Sequence, residues 1–327
     1  MSEGDKLMSK AESKVTVSLF RWSPDWEAAL PLYEQAAQKY RISGAKGKAA
    51  VAYEKASFTQ EKLGSPWHAA KHLESAGMLA KESGYTVAEV ESFFTRACAL
   101  YLEAGRGQAG ADALSRGGKT LESVNSDAAY RLYMEAVEMY QNEGKDHFSL
   151  DSFRAAINLL IRTERFEDAA TTQLRFAEAC SRTGAKQSQC KAYLSAMIAW
   201  LSEPDLKGLP EATNCLQDCL AVDAFYGSVE ARAAADLIEA YARRDVEAIQ
   251  KCIKDDNTFQ HLDTSILRLA RKLPTGDLGS LQQAPLPLSS DFGTSSLQHQ
   301  SGAVGRGQQS SPAIETTTDD IDEDNLC

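Results

Sequence analysis

The hydrophobic positions of the chain follow a helical pattern that recurs about every twenty residues. Small and aromatic side chains alternate at spacings of seven and four, as in Ala29, Ala36 and Tyr40, which places them on one face of a helix. A glycine follows most of these faces: Gly44, Gly64, Gly84, Gly105, Gly144 and Gly184. Each unit is therefore predicted to be a helix of roughly 14 to 17 residues that ends at a glycine with positive φ.

Such helices are marginally stable alone, so their alanine faces must pack against neighbouring helices. We expect successive helices to stack antiparallel, with alanines allowing close approach and aromatic side chains filling the gaps. The pattern predicts an all-α fold, a right-handed α-solenoid of tetratricopeptide-like helical hairpins with a period of about forty residues and about thirteen helices before Leu273. The tyrosines expected in its core are Tyr33, Tyr40, Tyr53, Tyr101, Tyr133, Tyr140, Tyr193 and Tyr241.

Two helix starts are predicted from Ser-Pro pairs. At Ser23-Pro24 and Ser65-Pro66 the serine is expected to be the N-cap. The proline would then occupy the first helical position, where its missing N–H leaves no hydrogen bond unmade.

Composition separates the C-terminal part of the chain from the rest. Residues 274–327 hold eight acidic residues, one arginine and one aromatic residue, and so carry a charge of −7 out of a formal net charge of −11. So little apolar surface cannot offset the entropy lost on ordering. We therefore expect a helical domain over residues 1–273 and a disordered acidic tail over residues 274–327.

Charge and composition also exclude several functional classes. An acidic chain lacks the basic footprint needed to bind nucleic acid non-specifically. The sequence has no apolar run long enough to span a membrane, and its first residues are acidic where a secretory signal would be basic. The seven cysteines are odd in number and form no C-x-x-C pair, which is typical of reduced thiols. The chain is predicted to be cytoplasmic.

No catalytic motif is present in the sequence. It contains no phosphate-binding loop, no nucleophile elbow and no zinc-protease motif, so we predict no enzymatic activity and no cofactor. His68 and His72 stand four residues apart, as do Cys215 and Cys219, which is a spacing that can chelate a metal. Two ligands without a third are more often ordinary helix residues, so no metal site is predicted.

Two other groups of residues are candidates for binding. The loop after the first helix contains Leu19, Phe20 and Trp22, which either pack against the next helix as a hydrophobic staple or stay exposed and enter a bilayer. The staple is the better interpretation for Trp22, and both remain open for the other two. Basic residues in the middle of the solenoid either form a solvated face or present a positive surface to an acidic, elongated partner: Arg116, Lys119, Arg154, Arg162 and Arg165.

Several segments, in their order along the chain, resemble the soluble NSF attachment protein family, closest to its gamma form. They are Phe20–Ala29, Lys48–Tyr53, Trp67–Lys71, Glu74–Met78 and Met134–Tyr140, together with an acidic stretch before the final Leu326-Cys327. The resemblance covers essentially all of residues 1–273. Alanine-rich helices with Trp and Tyr occur in many repeat proteins, so the order of the segments and the end of the chain carry the resemblance.

The resemblance implies a twisted sheet of antiparallel helices closed by a small C-terminal helical bundle. It implies an adaptor of vesicle fusion and intracellular transport that lies along the assembled, syntaxin-type SNARE four-helix bundle. The adaptor would recruit the hexameric AAA+ ATPase NSF, which takes the bundle apart. Leu19 and Phe20 would then be exposed in a membrane-attachment loop that gives weak peripheral membrane contact. The residues of the tail that would contact NSF are Asp322, Glu323, Asp324 and Leu326.

This sequence departs from the alpha form of the family by its long tail before the acidic end. The alternative from another functional class is a tetratricopeptide-type scaffold that captures peptide termini and is unrelated to SNAREs. Such a scaffold would carry a recurring clamp of Lys and Asn at the repeat spacing, and the sequence has none.

Overall fold

The computed structural model describes residues 2–17 and 22–275. In these two stretches the chain forms fifteen α-helices, one short 3₁₀ helix at Pro204–Leu206 and no strand. The helices are α1 (Glu3–Val15), α2 (Trp26–Ile42), α3 (Lys46–Lys62), α4 (Pro66–Lys81), α5 (Val87–Glu103), α6 (Gly107–Leu121), α7 (Ser126–Asn142), α8 (Asp146–Arg162), α9 (Phe166–Arg182), α10 (Lys186–Leu201), α11 (Leu209–Leu220), α12 (Val229–Ala242), α13 (Val246–Asp255), α14 (Asn257–Gln260) and α15 (Thr264–Ala270).

Each helix from α1 to α10 packs against the next, and helices two apart also touch, as α4 does with α6. The helices thus form two layers, one of odd-numbered and one of even-numbered helices. Helices α11 to α15 form a small bundle at the C-terminal end, and α15 packs back against both α8 and α10. The all-helical stack predicted from the hydrophobic pattern is confirmed, with two more helices than expected because the C-terminal segments are short.

Ion pairs between neighbouring helices of the same layer join residues that are about one repeat apart in the sequence. Arg96 donates to Glu54 at 2.7 Å across 42 residues, and Arg162 donates to Glu122 at 2.8 Å across 40 residues. The repeat of about forty residues is therefore visible in the polar contacts as well as in the helix order.

The glycines at the helix ends adopt the left-handed conformation that the sequence predicts. Gly44, for example, has φ +75°, and a Cβ atom there would meet no atom within 4 Å, so the backbone and not space requires glycine. The N–H of Ala45 donates to the carbonyl of Tyr40 at 2.9 Å and the N–H of Gly44 to that of Arg41 at 3.2 Å. This is a Schellman ending. Two helix ends without glycine keep the same geometry, with Glu164 and Arg244 both at φ +57°.

The core is built from small and aromatic side chains. All eight tyrosines expected in the core are buried. Phe94 shows how closely the helices approach, because a Cβ atom on Gly77 would lie 2.9 Å from its ring and one on Gly117 only 2.7 Å. Glycine on α4 and α6 therefore makes room for an aromatic ring between the helices.

One of the two predicted helix starts is wrong. Helix α2 is capped by Asp25, whose Oδ1 accepts from the N–H of Ala28 at 3.0 Å, so Ser23 and Pro24 lie before the helix. The other start is confirmed, since Ser65 is the N-cap of α4 and Pro66 its first residue. At the start of α2, Asp25 competes with Ser23 as the cap, because its carboxylate is an equally good acceptor for the free N–H groups.

Candidate functional site

A groove of about 810 Å³ is lined by α6, α8 and α15, with two tyrosines contributed by α7. Four of the five basic residues singled out in the sequence line it, and α15 adds a fifth side chain from the C-terminal bundle. The basic residues of this groove are Arg116, Lys119, Arg154, Arg162 and Arg268. The tertiary structure thus brings together side chains that lie up to about 150 residues apart in the sequence.

Arg165 lies elsewhere. It is the N-cap residue of α9, where it pairs with Asp127 at 2.6 Å and with Asp168 at 2.7 Å. Its guanidinium also lies over the ring of Tyr130, 5.4 Å from the centroid. These contacts hold α9 against α7.

Arg116 belongs to a cluster that joins α4, α5 and α6. Its Nε donates to one oxygen of Glu74 at 2.5 Å, and the hydroxyl of Tyr101 donates to the other at 2.6 Å. The Glu74 side chain is nearly buried. Burial and the hydrogen bond to Glu74 raise the pKa of Tyr101. Glu74 therefore compensates the charge of Arg116 and fixes its position.

A second cluster of the same composition holds Arg162. The hydroxyl of Tyr133 donates to Glu122 at 2.6 Å, and Nη2 of Arg162 donates to the other oxygen of Glu122 at 2.8 Å. Burial, together with this carboxylate, raises the pKa of Tyr133. A third tyrosine, Tyr140, donates to Asp112 in the same groove. Tyrosines of odd-numbered helices thus pair repeatedly with carboxylates on or at the end of even-numbered helices, and join the two layers.

The charges of the remaining basic side chains of the groove have weak compensation or none. Within residues 2–17 and 22–275, neither Lys119 nor Arg268 has an ion-pair partner, and both are exposed. Arg154 pairs with Asp151 at 3.0 Å, but that aspartate is almost fully solvated, so the pair is weak. Positive charge available to a ligand therefore resides chiefly on Lys119, Arg154 and Arg268.

The groove also contains an exposed aromatic ring. Phe148, at the start of α8, stacks on Tyr140 with ring centroids 6.1 Å apart and keeps one side in solvent. The groove thus offers apolar contact beside its basic side chains.

Sequence reasoning missed Arg268. The available signal was the density of basic residues at Arg268, Arg271 and Lys272, immediately before the acidic tail. What the spacing does not reveal is that α15 folds back onto α8 and turns Arg268 into the groove.

The structure describes only one residue of the predicted membrane-attachment loop. Trp22 has an exposed fraction of 91%, so the hydrophobic staple expected for this residue is wrong. With α2 beginning at Trp26 instead of Pro24, Trp22 lies outside the position from which a staple reaches the helix. Leu19 and Phe20 lie outside the described residues, as do Asp322, Glu323, Asp324 and Leu326 of the tail.

The two pairs with chelating spacing have local partners. His72 lies 3.0 Å from Glu34 and stacks on Tyr53, while the sulfur atoms of Cys215 and Cys219 are 3.9 Å apart and buried. In the part of the chain that the structure describes, no three metal-binding side chains come together, and no helix there is long and apolar enough to cross a bilayer.

Comparison with known sequences supplies the family. Residues 2–273 match the sequence model described as soluble NSF attachment protein, SNAP. The chain belongs to the soluble NSF attachment protein family. The family resemblance seen in the sequence is thereby confirmed, and it extends over the whole helical stack.

Three relatives within this family illustrate the match. The gamma-soluble NSF attachment protein of Arabidopsis thaliana is 45% identical over 281 residues, which cover 86% of this chain and 95% of the relative. The gamma-soluble NSF attachment protein of Dictyostelium discoideum is 26% identical over 271 residues, 83% of this chain and 82% of the relative. The vesicular-fusion protein SEC17 of Komagataella phaffii is 25% identical over 286 residues, 84% of this chain and 95% of the relative.

Proposed function

We propose that this chain is a non-enzymatic adaptor of vesicle fusion that binds assembled SNARE complexes and recruits the ATPase NSF to take them apart. The observation that carries the proposal is the match of residues 2–273 to the soluble NSF attachment protein family, supported by a gamma-form relative at 45% identity. Nothing in the groove favours the alternative of a peptide-binding scaffold unrelated to SNAREs.

The groove is the proposed contact for the SNARE bundle. A bundle of four helices is an elongated, largely acidic partner, and the available charges of Lys119, Arg154 and Arg268 complement it. Charge complementarity of this kind speeds association and is screened by salt over a Debye length of roughly 8 Å. Phe148 would add apolar contact at the same surface. Arg116 and Arg162 would act chiefly by keeping α4, α6 and α8 in register, because carboxylates already compensate their charge.

The two other contacts rest on the family resemblance. The tail residues Asp322, Glu323, Asp324 and Leu326 would meet basic domains of NSF, so that acidic charge at the end of the chain steers the ATPase toward the complex. The loop with Leu19, Phe20 and Trp22 would give weak peripheral membrane attachment, because burying each large apolar side chain contributes only about 1.5 to 3 kcal/mol. The 91% exposure of Trp22 supports this proposal.

The proposal is tested by asking whether the purified chain brings NSF to a SNARE complex. We expect NSF to be retained on immobilised SNARE complex only when this chain is present, and deletion of residues 315–327 to abolish stimulated disassembly while SNARE binding persists. Circular dichroism of the truncated chain, which should match the full chain, is the control. If the chain instead binds immobilised peptides unrelated to SNAREs and does not bring NSF to the SNARE complex, the peptide-binding scaffold is supported.

A further inference from the structure

Two exposed aromatic side chains lie at one end of the first two hairpins. Phe58, in the last turns of α3, has an exposed fraction of 47%, and its ring meets that of Trp26 edge to face with centroids 5.8 Å apart. Trp22 lies four residues before Trp26 and is almost entirely in solvent. Since neighbouring helices are antiparallel, the α1–α2 and α3–α4 connections lie at the same end of the stack, so these three rings form one neighbourhood.

Lysine side chains accompany the rings. Nζ of Lys62 lies 4.9 Å from the centroid of the Phe58 ring, and Nζ of Lys71 lies 4.9 Å from that of Trp67 at the start of α4. Neither lysine has an ion-pair partner within the described residues, and both are exposed. An aromatic ring with a lysine over it is the combination that suits a bilayer interface, where the ring sits among the headgroups and the ammonium reaches the phosphates.

We propose that Phe58 and Lys62 on α3 form a second membrane contact next to Trp22, with an anionic lipid surface as the ligand. This inference rests on the proposed membrane attachment of the α1–α2 loop and extends it to the second hairpin. The charge of Lys62 selects anionic over neutral headgroups, and the half-exposed ring of Phe58 supplies apolar burial.

Two hairpins in contact with lipid restrain the stack more than a single loop does. A loop that makes the only contact allows the rod of helices to swing about it. A second contact on the adjacent hairpin fixes the orientation of the end of the stack against the bilayer, and the two contacts together bind more tightly than either alone because the second forms intramolecularly.

The experiment measures co-sedimentation of the full chain with vesicles of phosphatidylcholine, with and without phosphatidylserine. Phe58→Ser is expected to weaken binding to both kinds of vesicle roughly fivefold. Lys62→Glu is expected to weaken binding roughly fivefold or more only when phosphatidylserine is present, and less at high salt. The matched controls are Tyr226→Ser, an aromatic ring with an exposed fraction of 74% between α11 and α12, and Lys251→Glu on α13. Both should bind like the unaltered chain.

Comparison with Trp22→Ser separates this inference from the loop proposal. If Trp22→Ser loses binding while Phe58→Ser and Lys62→Glu bind normally, the second contact is overturned and the loop alone attaches the chain. If Trp22→Ser also binds normally, the loop proposal fails as well. If Phe58→Ser lowers helicity by circular dichroism, its loss of binding no longer reports on the surface. Lys62 is exposed, so Lys62→Glu should keep the fold, and whether it weakens binding only to vesicles with phosphatidylserine then decides the question.

Discussion

At the scale of single residues, two basic side chains of α6 have different roles. Arg116 is held by a buried carboxylate, whereas the charge of Lys119 is available to a ligand. Glu74 uses both oxygens, one for Tyr101 and one for Arg116, and its side chain is nearly buried. A carboxylate in that position needs both donors, because an unpaired charge away from water is costly. Lys119, one turn further along α6, has no such role among the described residues and is exposed.

This difference predicts opposite outcomes for two neighbouring substitutions. Arg116→Ala leaves one oxygen of Glu74 without its partner and is expected to lower the free energy of unfolding by about 1 to 3 kcal/mol. Lys119→Ala removes an exposed side chain without a partner and is expected to change it by less than about 0.5 kcal/mol. Urea unfolding followed by circular dichroism measures both, and equal destabilisation by the two variants would contradict the assignment.

At the scale of the helices, the repeated element is a left-handed residue, which follows seven of the eight helices from α2 to α9. This position is a glycine at six helix ends, as at Gly144 with φ +66°, but after α8 it is Glu164, with φ +57°. The N–H of Arg165 donates to the carbonyl of Leu160 at 2.9 Å, which is the same hydrogen bond as at the helix ends that have glycine. The tertiary stack therefore imposes the ending on a residue that resists it.

The cost at Glu164 can be relieved. A residue with a Cβ atom in this conformation costs about 1 to 2 kcal/mol, whereas glycine adds up to about 1 kcal/mol of entropy to the unfolded chain. Glu164→Gly is therefore expected to stabilise the fold by about 0.5 kcal/mol. Gly144→Ala, the reverse exchange at an equivalent helix end, is expected to destabilise the fold by about 1 kcal/mol. Thermal unfolding of both variants tests this, and destabilisation by Glu164→Gly would refute it.

At the scale of the whole molecule, the groove depends on a long-range contact. Lys119 and Arg154 come from the repeats, but Arg268 comes from α15 in the C-terminal bundle, which packs back onto α8 and α10. The bundle thus contributes to the same surface as the repeats, and the available positive charge spans both parts of the described chain.

The double variant Lys119→Ala/Arg268→Ala tests this surface. Removing two available charges is expected to weaken binding to assembled SNARE complex roughly tenfold at low salt and less at high salt. The matched control is Lys10→Ala/Lys251→Ala, which removes two exposed lysines outside the groove and should bind normally. A fluorescence binding titration at two salt concentrations measures the effect. Equal weakening by both double variants would show that net charge matters and the groove does not.

The sequence by itself determined the helical stack, the positions of most helix ends and the buried tyrosines. These follow from local rules, since spacings of seven and four define one helix face and a glycine accepts the positive φ that ends a helix. The helix start at Asp25 could not be chosen from the sequence because Ser23 and Asp25 are both good caps.

Only the tertiary structure decided what the charged and aromatic side chains do. Arg116 is neutralised by Glu74 from a helix 42 residues earlier, Arg165 is engaged by Asp127, and Arg268 reaches the groove through the folding of α15. The exposure of Phe58 and Trp22 is likewise set by which helices cover them. The physical reason is that a helix face follows from spacing along one segment, whereas an ion pair or an exposed ring depends on distances between segments that the repeat brings together in space.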